Sequence, residues 1–254
     1  MKNKIIIANW KMSLPYQETI DLAQKLVAVE DQIPQDVEII VCPTYVAIPE
    51  VIKIFKNTEI KIGAQDVFWE EKGAYTGEIS PSDLKTIGCT HTLLGHSERR
   101  IHLGETNAMV HNKIKVSLKN GLTPILCIGE DWDQRQGGQR DYTLIKELNE
   151  ILGGVQLSPG SKMMIAYEPI WAISSGKGIF AEPDEVKYVC EVIRQVLLDL
   201  YDLNTIDFSI QLIYGGSVNK LTVHSYTSLP YIKGVLVGNA STKPEEFISL
   251  IQSA

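Results

Sequence analysis

Glu168 ends the apolar run Met163 to Tyr167 and is followed by Pro169-Ile170-Trp171-Ala172-Ile173 and then by Ser174-Ser175-Gly176-Lys177-Gly178. A carboxylate at the end of a strand is held by rigid scaffold, and a Pro-led loop of small residues can fold over a ligand with free backbone N–H groups. That is the arrangement of a general base beneath a moving lid. The ordinary alternative, a surface glutamate ahead of a long loop, has to be weighed against residues elsewhere.

Two of those residues carry complementary chemistry. Lys11 follows an apolar run and the short lead Asn9-Trp10. A fixed ammonium there can draw in an anion and neutralise charge developing on a substrate oxygen. His96 opens a helix-like segment, where the N-terminal dipole opposes the imidazolium and favours a neutral ring that donates a hydrogen bond to a carbonyl. A solvated lysine and a capping or core histidine are the competing readings. Glu98 and the pair Arg99-Arg100 look like an ion-pair scaffold rather than reactants. Gly215-Gly216-Ser217 and Gly238-Asn239 would offer backbone N–H groups at helix starts, a phosphate cradle built without basic side chains. Either segment alone could be a tight turn.

The elements that must position these groups repeat one module. Short apolar runs rich in β-branched residues occupy Lys4–Trp10, Val37–Cys42, Ile60–Ala64, Thr90–Leu94, Thr123–Cys127, Met163–Tyr167, Ser209–Tyr214 and Gly234–Val237. They are continuous rather than alternating, as parallel strands buried on both faces are. Helix-like periodicity follows, for example over Gln17–Gln32, Val46–Lys56, Thr106–Lys119, Asp141–Leu152, Pro183–Leu200 and Pro244–Ile251. Ser80-Pro81-Ser82-Asp83, Glu182-Pro183-Asp184-Glu185 and Lys243-Pro244-Glu245-Glu246 place proline and acids where a first helical turn accepts them. This alternation predicts an α/β fold, one (β/α)8 barrel domain over residues 1–254. The runner-up, an open doubly wound sheet, is weakened by the missing G-x-G-x-x-G after the first run. In such a barrel ligand-handling residues gather at the carboxyl ends of the strands, and paired turns after the seventh and eighth match its common phosphate site. Asn9, Lys11, His96, Glu168, Ser217, Gly238 and Asn239 should therefore converge on one face.

Composition narrows the partners. With 254 residues, 44% of them apolar and 22% charged, the chain can bury a large core, and its formal net charge of −7 disfavours nucleic acid and anionic membrane. A small-molecule enzyme whose anionic substrate meets a locally positive site fits better. No apolar run is long enough to span a bilayer, and Met1-Lys2-Asn3-Lys4-Ile5 lacks the pattern of a signal peptide, so a soluble, cytoplasmic protein is expected. Cys42, Cys89, Cys127 and Cys190 are far apart with no C-x-x-C pair, which reads as buried free thiols rather than disulfides or a zinc site.

Asn9-Trp10-Lys11, Gly73-Ala74-Tyr75-Thr76-Gly77-Glu78, Leu94-Gly95-His96-Ser97-Glu98-Arg99-Arg100, Cys127-Ile128-Gly129-Glu130, Ala166-Tyr167-Glu168-Pro169-Ile170-Trp171-Ala172-Ile173, Tyr214-Gly215-Gly216-Ser217-Val218 and Leu236-Val237-Gly238 match the segments of the triosephosphate isomerase family, in order and from end to end. On these segments the chain resembles that family. The resemblance implies a TIM barrel that interconverts dihydroxyacetone phosphate and glyceraldehyde 3-phosphate through an enediolate, a step of glycolysis and gluconeogenesis. It makes Glu168 the proton-shuttling base, His96 the neutral electrophile and Lys11 the cation beside the substrate oxygens, with Asn9 and Glu98 in support. It assigns the phosphate to Ser174, Ser217, Gly238 and Asn239. Neither metal nor organic cofactor is needed, because one carboxylate can move the proton while lysine and histidine hold the charge. It also implies a homodimer: the long aromatic loop Gln65–Ser80, with Phe68, Trp69 and Tyr75, would enter a second subunit and bring Thr76 beside that subunit's Asn9, Lys11 and Glu98.

Two positions depart from the family pattern. Ser174-Ser175-Gly176 stands where Gly-Thr-Gly is usual, and Asn239 where a second glycine is usual. Ser and Asn keep their amide donors, and Asn tolerates positive φ better than most residues. A related aldose-ketose isomerase for a four-carbon sugar phosphate would use the same groups. Two other classes have less support: a serine hydrolase, since Gly95-His96-Ser97-Glu98-Arg99 half matches G-x-S-x-G with His224 downstream, and a silent phospho-ligand-binding protein.

Overall fold

The computed structural model describes residues 4–173 and 180–254. Eight parallel strands close into a barrel in chain order: β1 (Lys4–Asn9), β2 (Val37–Cys42), β3 (Lys61–Ala64), β4 (His91–Leu94), β5 (Thr123–Ile128), β6 (Met163–Tyr167), β7 (Ile210–Tyr214) and β8 (Ile232–Val237). All eight expected strands are present, with ends displaced by no more than two residues. The ring closes where β1 pairs with β8, Ile5 opposite Gly234 and Ala8 opposite Val237.

Successive residues of a strand face opposite sides, and here both sides are buried. Ile5, Ile7, Ile40, Ile125, Met164 and Ile213 belong to the cluster inside the ring, while Ile6, Ala8, Ile39, Val41 and Ile165 join the larger cluster formed with the helices. That double burial is why the runs read as continuous apolar segments.

Proline opens the helices Pro81–Ile87, Pro183–Leu200 and Pro244–Gln252 as expected, its missing N–H being one that a first turn leaves unpaired. Thr106 caps Asn107–Lys119 by accepting from the Met109 N–H at 3.3 Å. Two helices are shorter than their periodicity suggested. The first covers Tyr16–Ala28, with a separate 3-10 turn at Glu30–Gln32. The second covers Ile48–Ile54, because Pro49 fits only the first turn, and a 3-10 turn at Tyr45–Ala47 leads into it. Trp132–Gln136, Leu203–Ser209 and Val223–Thr227 are additional helices of five, seven and five residues. Under two turns, a 3.6-residue repeat has no room to show itself.

The loop after β3 packs its aromatic residues largely on one another. Phe68 is buried within its own chain, its ring 4.1 Å from that of Trp69 and 4.6 Å from that of Tyr75. Burial of Phe68 thus needs no second subunit, contrary to the expectation for the loop as a whole, whereas Tyr75 and Thr76 remain exposed. The four cysteines are buried free thiols, and burial pushes those of Cys89 and Cys190 up to about 12. No helix among the described residues is long and apolar enough to cross a membrane.

Candidate active site

At the carboxyl end of β1 the buried Asn9 leads into a turn in which Lys11 has φ of 52°, a left-handed conformation that lysine rarely adopts. Two side chains hold it there. Asn9 Oδ1 accepts the Lys11 N–H at 3.0 Å, and Gln65, just beyond β3, donates from Nε2 to the Lys11 carbonyl at 2.7 Å. The ammonium then reaches Glu98 Oε1 at 2.5 Å, so the cation is fixed at both its backbone and its head. Gly238, after β8, leaves room for it: a Cβ there would stand 3.3 Å from Lys11 Cε.

His96 occupies the cap position of the helix Ser97–Leu103. The Glu98 N–H donates to His96 Nδ1 at 3.2 Å, which uses the lone pair of that nitrogen and places the ring proton on Nε2. Nε2 lies 3.4 Å from Glu168 Oε1. Glu168 follows β6, is buried, and is anchored by its N–H on the Ile128 carbonyl at 2.7 Å. Its side chain passes over Gly215, where a Cβ would approach Glu168 Cγ to 2.6 Å. The chain on both sides of Glu168 is clamped by the buried Glu130, whose Oε1 accepts from Tyr167 Oη at 3.1 Å and from Trp171 Nε1 at 2.8 Å. Burial pushes the Glu130 carboxyl above its ordinary range.

Asn9, Lys11, His96 and Glu168 line one cavity of about 170 Å³ with the residues that follow β7 and β8, among them Ser217, Gly238 and Asn239. Pockets for drug-sized ligands run to roughly 300–1,000 Å³, so this one suits a smaller molecule. The chain matches the model of the family described as "Triosephosphate isomerase" over residues 4–254. It belongs to the triosephosphate isomerase family. Among similar proteins are triosephosphate isomerases of Dictyoglomus thermophilum, 40% identical over the full length of both chains, and of Caldanaerobacter subterraneus subsp. tengcongensis, 40% identical over 99% of each. That of Dehalococcoides mccartyi is 41% identical over all of this chain and 97% of its own.

The positions at which the chain departs from the triosephosphate isomerase family pattern have distinct outcomes. Asn239 begins a 3-10 turn, Asn239–Thr242, and is not among the residues with positive φ, so the tolerance expected of asparagine is not drawn upon. The first amides of such a turn have no partner within it, and Asn239 and Ala240 both line the cavity. Ser217 is engaged: its N–H donates to the Ala172 carbonyl at 2.9 Å. Ser174, the remaining phosphate candidate, and Ser175 lie outside the described residues. Thr76 is exposed and is not part of this cavity.

Ser97 Oγ is buried and has no hydrogen-bond partner among the described residues, so none of them is placed as the base that a hydrolase nucleophile needs. The arginine scaffold is real and more extensive than its sequence signal. Arg99 pairs with Asp66 at 2.7 Å and Glu105 at 3.3 Å, and Lys113 pairs with both carboxylates. Gln65, Gly215 and the Glu130 clamp escaped sequence reasoning. Gly215 carried a signal, its place after β7, but that signal pointed to phosphate rather than to clearance for Glu168.

Proposed function

We propose that this chain interconverts dihydroxyacetone phosphate and glyceraldehyde 3-phosphate. The observation that carries the reading is the convergence of Glu168, His96 and Lys11, from β6, β4 and β1, on one small cavity. Glu168 removes a proton from the carbon next to the carbonyl; the C–H electrons form the carbon–carbon double bond, and the carbonyl oxygen takes the charge. His96 Nε2–H and the Lys11 ammonium stabilise that oxygen, which raises the rate because the charge exists only beyond the ground state. The hydroxyl proton on that first carbon passes to the former carbonyl oxygen, the electron pair it leaves behind forms the new carbonyl, and the protonated Glu168 returns its proton to the carbon that carried the old one. Hydrogen changes carbon and the molecule as a whole is neither oxidised nor reduced, so the step requires no electron acceptor. The Asn239 and Ala240 amides after β8, with Ser174, take the phosphate, the Ser217 N–H being committed to Ala172. Homodimeric assembly and a cytoplasmic location belong to the same reading, supported by the exposed apolar residues that follow β1 to β4 and by four unpaired thiols.

The test is a coupled assay in which the purified chain receives glyceraldehyde 3-phosphate and the ketone product is reduced by a dehydrogenase. Turnover should be rapid without added metal and should be far slower on the four-carbon homologue. Absence of turnover from folded protein would overturn the reading.

A further inference from the structure

Behind the His96–Glu168 pair lies a second pair of charges with no part in the chemistry above, Arg100 and Glu147. Arg100 turns back from its helix to the strand before it, and its Nε donates at 2.7 Å to the carbonyl of Gly95, the peptide directly ahead of His96. Its Nη1 donates to Asn107 Oδ1 at 2.6 Å and stands 3.8 Å from Glu147 Oε1. The other oxygen of Glu147 accepts the Gly129 N–H at 3.2 Å. Gly129 in turn lies against the base: a Cβ there would fall 1.8 Å from the Glu168 carbonyl oxygen. A line of contacts thus runs from the peptide ahead of His96, through Arg100 and Glu147, to the peptide beside Glu168. It joins the end of β4 to the ends of β5 and β6 across the back of the site.

Stability is a poor account of charges in this place. The two side chains are only 17% and 14% exposed, and Arg100 Nη2 is buried with no hydrogen-bond partner among the described residues. Burial also pushes the Glu147 carboxyl above its ordinary range. A well-packed apolar pair of similar volume is commonly as stable or more so. What the charged pair adds is direction: a planar guanidinium and a carboxylate grip a C=O and an N–H at defined angles.

We propose that Arg100 and Glu147 are positioning residues for the proton transfer, setting the separation of the His96 imidazole and the Glu168 carboxylate by gripping the two peptides next to them. This inference rests on the isomerase reading given above. The separation it protects is the 3.4 Å between Nε2 and Oε1, and misplacement of a reacting group by about 1 Å can cost on the order of 10²-fold in rate.

The experiment compares Arg100→Ala, Arg100→Lys, Glu147→Leu and Glu147→Gln with wild type. It measures kcat and KM on glyceraldehyde 3-phosphate, the affinity of a hydroxamate mimic of the enediolate, and inhibition by inorganic phosphate. Wild-type turnover tests the isomerase reading separately, so the two ideas fail independently. Arg100→Ala and Glu147→Leu should lose about ten- to a hundredfold in kcat with KM within about twofold, and the mimic should weaken in parallel while phosphate does not. Arg100→Lys should also slow, because one ammonium cannot grip both Gly95 and Glu147. Glu147→Gln, whose amide oxygen still accepts from Gly129, should keep most of its turnover, and added guanidinium ion should restore part of the Arg100→Ala rate. Unchanged kcat per folded molecule, or Glu147→Gln as slow as Glu147→Leu, or loss of phosphate affinity in step with kcat, would each overturn the proposal. If a truncation does not fold, Arg100→Lys and Glu147→Gln decide by the same readouts.

Discussion

A carboxylate that takes a proton from carbon must stand at hydrogen-bond distance from it, so the reach of Glu168 is a kinetic quantity. Glu168→Asp keeps the charge and withdraws it by about 1 Å, which should cost on the order of 10²-fold in kcat with much less effect on KM. Retention of most turnover in the coupled assay would remove Glu168 from the role of base. Gly215→Ala approaches the same group from the other side, since its Cβ would meet Glu168 Cγ at 2.6 Å. It should push the carboxylate off His96 and lower kcat at least tenfold while the circular dichroism spectrum and the melting transition stay close to wild type. An unaffected kcat would mean that the base repositions freely. Lys11, His96 and Glu168 were legible because each stands within two residues of the end of an apolar run, a local pattern. Gln65 was not, because it grips Lys11 from 54 positions away, and neither was the positive φ of Lys11, which such side-chain bonds maintain. The Glu130 clamp on Trp171 likewise spans 41 positions.

Whole strands survived translation from sequence better than helices, for a physical reason. A strand buried on both faces declares itself within five or six residues, whereas a helix needs several turns for its stripe to repeat. Strand β4 carries a cost that its apolar neighbours conceal. His91, its first residue, is buried with Nδ1 2.7 Å from Thr90 Oγ1, and burial, with Lys61 and Lys85 nearby, depresses its pKa to about 3. The folded chain therefore keeps a neutral ring where the unfolded chain binds a proton. The stability this provides is present above the unfolded pKa of about 6.5 and is lost as pH falls towards 3, with a limiting slope of about 1.4 kcal/mol per pH unit. Urea unfolding between pH 4 and 7 should show the advantage of wild type over His91→Asn shrinking as pH falls below 6.5. A difference independent of pH would show that His91 charges in the folded state.

At the scale of the molecule, part of the exposed apolar surface borders the site. Met12, Val46, Ile101 and Leu103 are 91%, 76%, 62% and 66% exposed, and Tyr75 is 45% exposed. They follow β1, β2, β4, β4 and β3, which are consecutive around the ring, so they share one side of the rim that carries Lys11 and His96. Clustered exposed apolar residues mark an association surface, and one that borders a site invites a partner to complete it. Thr76 sits at the exposed tip of the loop after β3, within this side. Arginine at that position would carry an unpaired charge into the contact, where burial of a charge costs several kcal/mol. On the proposed dimeric reading, wild type should sediment as a dimer in analytical ultracentrifugation and Thr76→Arg as a monomer at the same concentration. It should also lose most of its activity although Lys11, His96 and Glu168 are intact. Because Phe68 is already buried within its own chain, the variant should keep its loop packing and remain folded, so the loss would be one of assembly. A monomer with full turnover, in either protein, would show that each barrel organises its site alone.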